Sequence, residues 1–495
     1  MAAAAAAALI LLLAACCRPA EGAVAEIGPT IYIGGIQDLQ LDGSGVSKCN
    51  RLVDSALSYG SFSNAQFLVS VLWWDSGPRD PPPGWDGCDN YTLSTYYCFG
   101  RFNSTSVEYY AYGLDDNKTA IPVNASQVAT FRDLLADCLG YAVDRGLDVS
   151  INVHLDDGRQ QNGWRNTLPF NPLWELRGFS YYDAVLEPIV GALNLVLHNS
   201  SDAWLSLQGE MGATVFFFPW EWARVADMVR DRLRPELRDR VRLGLGINNS
   251  KLCGCVLIDI IDYNDYLRAF APLWPSIMDW FDMRGIREAF TTVEYVGISA
   301  YVPQARTDFQ PCDMENLVKM MDIEFSYYNL TLRELVDMGK EIHWIEWGIG
   351  GGVAQTGDQP ARTALGAAHT PYFGVQSPYN KSRDPWQIPE VRDYMRYFVN
   401  QTSEYLLQGG CDYQVGSVFL WTVGGSWDVL GLYDRATGAQ DGTFRDEVAV
   451  EEIRQHNDEA RRLNAEQAPA GQQAAPADGR AAPAGPNATA LLAGR

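Results

Sequence analysis

Short apolar runs of strand length recur along the chain, separated by longer segments whose apolar residues repeat every three to four positions. The runs are TIYIGGI (30–36), QFLVSVLWW (66–74), LDVSINVHL (147–155) and AWLSLQGE (203–210), then VRLGLGIN (241–248), VEYVGISAY (293–301), KEIHWIEW (340–347) and GSVFLWTV (416–423). Between them, ASQVATFRDLLADCLGYAVDRG and WARVADMVRDRL carry the helical period. Strand and helix alternating eight times predict an α/β chain closed into a parallel (β/α)8 TIM barrel over residues 26–464. A doubly wound sheet would place a glycine fingerprint after the first strand, and GGIQDLQ does not match one.

Long connections are expected after strand two (75–125), strand three (156–178), strand five (249–275) and strand seven (348–387). Each begins at the carboxyl end of a strand, the face on which such barrels keep their sites. Residues 465–495, rich in Ala, Pro, Gly and Gln, cannot build a core and read as a disordered tail.

The N-terminal run MAAAAAAALILLLAACC reads as a signal peptide over residues 1–25, with cleavage options at Ala20-Glu21-Gly22 and Ala23-Val24-Ala25. LAAC, ending at Cys16, also resembles a bacterial acylation site. Ten N-x-Ser/Thr sequons favour the secretory route, an extracellular glycoprotein. The eight cysteines beyond the leader then read as disulfides. A net charge of -23 argues against nucleic acid or an anionic membrane surface as partner, and no internal run is long enough to span a bilayer. The five histidines are scattered and Cys253-Gly-Cys255 stands alone, so neither a metal nor another cofactor is expected. An acidic surface suits a protein that meets neutral substrates, and a monomer is expected.

Two strands end in the same way. HWIEWGIGGG (343–352) places Glu346 after an apolar run and before glycines, and AWLSLQGEMG does so with Glu210. A carboxylate among apolar residues loses hydration, so it is paired, protonated or in use. Hydrolysis of a glycosidic bond needs two carboxyl groups, one to protonate the leaving oxygen and one to attack the anomeric carbon or activate water.

Glutamates ending strands four and seven resemble the pair in the clan A retaining glycoside hydrolases, which include cellulases and β-mannanases; WIEWG is similar to that clan's nucleophile strand. The resemblance implies Glu346 as nucleophile and Glu210 as acid/base, in an enzyme that cleaves β-linked glycans such as β-mannan or β-glucan, acting within the chain. It further implies a partner for the nucleophile in Tyr301 (GISAY), a tryptophan under the reacting sugar in Trp421 (FLWTV) and a substrate contact in His154 (INVHL). Trp74, Trp347 and Asn248, at strand ends, are expected to line the substrate cleft. One departure is clear: the residue before the acid/base is usually Asn in this clan, and here it is Gly209. The alternative reading is therefore an inactive barrel that binds glycans or cell-wall partners. A phosphate cradle in WGIGGG is disfavoured, because a buried carboxylate would compete for the same positive field.

Overall fold

The computed structural model describes residues 22–59, 62–75, 107–159, 163–199, 201–254, 263–350, 361–371, 387–421 and 446–467. Eight strands alternate with eight principal helices: β1 (Ile27–Ile33), α1 (Lys48–Tyr59), β2 (Asn64–Trp74), a hairpin β3 (Tyr109–Leu114) and β4 (Ala120–Pro122), and α2 (Ala125–Val143). They continue as β5 (Asp148–Asp157), α3 (Glu187–Val196), β6 (Ala203–Ser206), α4 (Pro219–Arg232), β7 (Val241–Ile247) and α5 (Met283–Thr292). The last are β8 (Tyr295–Ala300), α6 (Asn316–Tyr327), β9 (Glu341–Trp347), α7 (Pro389–Leu407), β10 (Val415–Leu420) and α8 (Glu447–Gln467). Strands β1, β2, β5, β6, β7, β8, β9 and β10 pair in parallel in that order, and the β1–β2 and β1–β10 pairings close the ring. This is the (β/α)8 barrel expected from the alternation.

The strands are buried on both faces, as a parallel barrel requires, and so read as continuous apolar runs. Their outward side chains pack under the helices; Trp344, for example, stacks on Tyr405 of α7 with ring centroids 5.6 Å apart. Helix α2 starts at Asn124, whose side chain accepts from the Gln127 amide while Gln127 caps back on the Asn124 N–H, satisfying two otherwise orphaned donors. The β3–β4 hairpin, absent from the sequence reading, lies in the connection after β2 and pairs antiparallel with Leu72–Trp74.

Helix α8 seals the barrel's first strand. Asn457 accepts from the Ile27 amide (2.7 Å) and donates to its carbonyl (3.0 Å), and Asn464, two helical turns on, does the same with Val24 (2.7 and 2.9 Å). Two side-chain amides on one helix face thus stand in for a neighbouring strand. Cys49–Cys138 ties α1 to α2, and Cys312–Cys411 ties the turn before α6 to the approach to β10. Cys253 is also disulfide-bonded. Cys88, Cys98 and Cys255, the leader up to residue 21 and the tail beyond Gln467 lie outside the described residues. Among the described residues no helix is long and apolar enough to cross a membrane.

Candidate active site

Strand β5 supplies three polar side chains at alternate positions, Asn152, His154 and Asp156, which a strand's two-residue period places on one face. All lie at the carboxyl-terminal mouth of the barrel. Asp156 accepts from Tyr32 (3.3 Å), at the end of β1, and from the Ser70 hydroxyl of β2. A short turn, Arg165–Thr167, then brings Arg165 over the mouth. Asn166 pins this turn, accepting from the Gly212 amide (2.7 Å) and donating to the Lys251 carbonyl (2.9 Å). The Arg165 guanidinium donates to Asp156 Oδ1 (3.2 Å), to His154 Nδ1 (2.7 Å) and, at 3.4 Å, to Glu210 Oε2.

Glu210 sits just beyond β6, where regular pairing ends at Ser206 but backbone bonds continue. Gly209 donates to the Val153 carbonyl (2.7 Å) and Glu210 to that of Gly246 (3.1 Å). The Glu210 backbone is left-handed, with φ of 56°, a conformation that L side chains rarely hold and that marks strain at a functional position. Its Oε1 accepts from Asn248 Nδ2 (2.7 Å) at the end of β7. Burial is the largest influence on this carboxyl and raises its pKa; the charge of Glu346 adds to the rise, and Arg165 and His154 oppose it.

Glu346 ends β9 and is 3% exposed. Tyr301, just past β8, donates to its Oε2 (2.9 Å), while Oε1 has no protein hydrogen-bond partner and lies 3.0 Å from His154 Nε2. Burial pushes its pKa up to about 7, against the pull of Arg165 and Tyr301 towards the ionised form. The charge of Glu346 thus favours the protonated form of Glu210. His154 is driven the other way, to about 3, by burial and by the cation of Arg165.

Of the residues singled out in the sequence, Glu210, Glu346, His154, Tyr301 and Asn248 are brought together. Trp421 lies beside them, its ring 6.1 Å from that of His154. Two tryptophans have ring partners outside this cluster. Trp347 is 1% exposed and stacks on Phe398 of α7, and Trp74 stacks on Tyr109 of the hairpin. The indoles beside Glu346 in sequence therefore face the helix layer, and the carboxyl owes its desolvation to the barrel interior. Gly348 serves close approach: a Cβ there would meet the Trp421 carbonyl oxygen at 2.6 Å, where the Trp421 amide bonds to Trp347.

Sequence reading missed Arg165, Asp156 and Asn152. GWRNTL carries no periodic signal, and Asp156 differs from a surface aspartate only through its β5 register with His154. Gly209 also finds its reason here. A Cβ on it would lie 2.4 Å from Asn152 Oδ1 and 2.7 Å from the His154 ring. Among the described residues no cluster of His, Cys, Asp and Glu is arranged to hold a metal ion.

No protein-family profile and no curated protein matches the sequence. Among solved structures, the chain is similar to the GH113 β-mannanase of Alicyclobacillus acidocaldarius, at 14% identity and a TM-score of 0.43 over 90% of this chain and 98% of that one. A family 5 mannosidase from Rhizomucor miehei gives 11% identity and a TM-score of 0.39, covering 90% and 97% of the two chains. The β-mannanase of the blue mussel Mytilus edulis gives 9% and 0.37, covering 88% and 92%. At such identities and scores, the chemistry has to be read from the site itself.

Proposed function

We propose that the protein is a glycoside hydrolase that cleaves β-linked glycans with retention of configuration, Glu346 acting as nucleophile and Glu210 as acid/base. The observation that carries this reading is the asymmetry of the two buried carboxyls. Glu346 has one oxygen held by Tyr301 and the other, Oε1, without a hydrogen-bond partner at the barrel mouth. Glu210 is oriented by Asn248 from the neighbouring strand. In the first step Oε1 bonds to the anomeric carbon as the glycosidic bond breaks, and Glu210 gives its proton to the departing oxygen. In the second, Glu210 takes a proton from water, which attacks the same carbon and releases Glu346.

The neighbourhood of Gly209 favours an active enzyme over a decayed one. Asn152 and His154 fill the space that a side chain at 209 would need, so the glycine belongs to a repacked site. β-Mannan and β-glucan, implied by the sequence resemblance, are the first substrates to try. We further propose that the chain enters the secretory route through its leader and carries glycans on exposed sequons.

The roles are tested by Glu346→Gln and Glu210→Ala on an aryl β-glycoside, following product configuration by proton NMR. Glu346→Gln is expected to be inactive on every substrate, because an amide cannot form the ester intermediate. Glu210→Ala is expected to regain turnover with azide and yield a β-glycosyl azide. Inverted product from the wild type, or full activity in either variant, would overturn the assignment.

A further inference from the structure

His154 sits among three carboxyl groups. Asp156, Glu210 and Glu346 all face it, and Glu346 Oε1 lies 3.0 Å from its Nε2. Acidic neighbours in that number ordinarily favour an imidazolium, and an imidazolium against Glu346 would neutralise the charge with which that carboxylate attacks. The geometry prevents it. Arg165 Nη2 is 2.7 Å from His154 Nδ1, and a guanidinium can only donate. Nδ1 must therefore be an acceptor, bare of a proton, and the single ring proton sits on Nε2, which lies 3.0 Å from Glu346 Oε1 and 3.3 Å from the side-chain amide of Asn152, whose otherwise unpartnered oxygen is its acceptor. Asp156, itself held by Tyr32 and Ser70, fixes the guanidinium in place.

We propose that Arg165 is a positioning residue that keeps His154 neutral, with its one ring proton on Nε2, so that Glu346 faces a neutral imidazole in place of an imidazolium. This deepens the hydrolase reading and rests on it for its kinetic consequence; the state of His154 itself does not depend on that reading. The charged and titratable groups facing Glu346 are Arg165, Asp156, His154, Tyr301 and Glu210, and of these only Arg165 holds His154 through Nδ1.

The test is histidine-selective nitrogen-15 NMR on the intact protein, with Arg165→Met, Arg165→Lys, His154→Gln (which also assigns the signal) and the Arg165→Met/His154→Gln pair. In the wild type His154 is expected to stay neutral, with Nδ1 bare, down to pH 5. In Arg165→Met it should become an imidazolium within the range pH 5–8, and Arg165→Lys, which keeps a donor and a charge, should restore the neutral form. A His154 signal unchanged by Arg165→Met would overturn the proposal. Kinetically, the acid limb of the Arg165→Met rate profile should move up with the His154 titration, each unit multiplying the loss at the acid end by about ten. Adding His154→Gln should remove that shifted limb. Loss of activity uniform across pH, or a limb that survives His154→Gln, would mark Arg165 as merely structural. If the wild type hydrolyses no β-glycan, the hydrolase reading fails while the NMR experiment still decides the role of Arg165.

Discussion

Tyr301 shows how one side chain sets the working range of the site. Its hydroxyl donates to Glu346 Oε2, and burial, followed by the charge of Glu346, holds its own pKa well above the usual phenol value, so it remains a donor. The bond favours the ionised carboxylate, the form that attacks. A hydrogen bond to a charged group contributes about 1.5–3 kcal/mol, so Tyr301→Phe is expected to lower kcat/KM roughly 10- to 100-fold. The direction with pH follows from the same bond. With Glu346 raised to about 7 by burial, the wild-type acid limb should lie above the ordinary carboxylate range. Removing the donor raises that pKa further, so activity in Tyr301→Phe should be lost first at low pH. An acid limb that stays put or moves down would contradict the role given to Tyr301. Both partners were legible as strand-end residues; their bond was not, because Tyr301 and Glu346 lie 45 positions apart in the chain.

Among the elements, α8 has the least expected task. Its Asn457 and Asn464 bond the backbone N–H and C=O of Ile27, the first residue of β1, and of Val24, which precedes it. Asn457→Ala leaves a buried N–H and a buried C=O without partners, each costing about 1–3 kcal/mol. Urea unfolding of that variant should show a midpoint well below the wild type's at an unchanged slope; an unchanged midpoint would mean that the helix does not support β1. The eightfold alternation called for a helix after the last strand, but nothing in the sequence identified two asparagines two turns apart as surrogates for strand pairing. That depends on where β1 ends in space.

For the whole molecule, the sequons divide by exposure. Asn117, Asn124, Asn199 and Asn329 are exposed, whereas Asn248 is buried with its amide on Glu210, and Asn400 donates to Glu452 from within α7 (2.6 Å). Glycopeptide mass spectrometry of protein expressed through a eukaryotic secretory route should find glycans on the first group and none at Asn248 or Asn400. A glycan at Asn248 would be incompatible with its bond to Glu210. The disulfides act at this scale too. Cys49–Cys138 and Cys312–Cys411 each close a loop of about a hundred residues, with separations of 89 and 99, so both constrain the unfolded chain across two or more barrel units.

The sequence alone determined the barrel, because a parallel strand buried on both faces must be apolar throughout and its crossover must carry the helical period. It also determined which two glutamates stand at strand ends. Tertiary structure decided what surrounds them. The indoles beside Glu346 turn outward onto α7, Gly209 makes room for Asn152 and His154, and Arg165 enters from a turn without any periodic signal. Periodicity records which face of an element is buried. Contacts between side chains brought together from separate strand ends and a turn leave no such record, because they depend on the register and closure of the whole barrel.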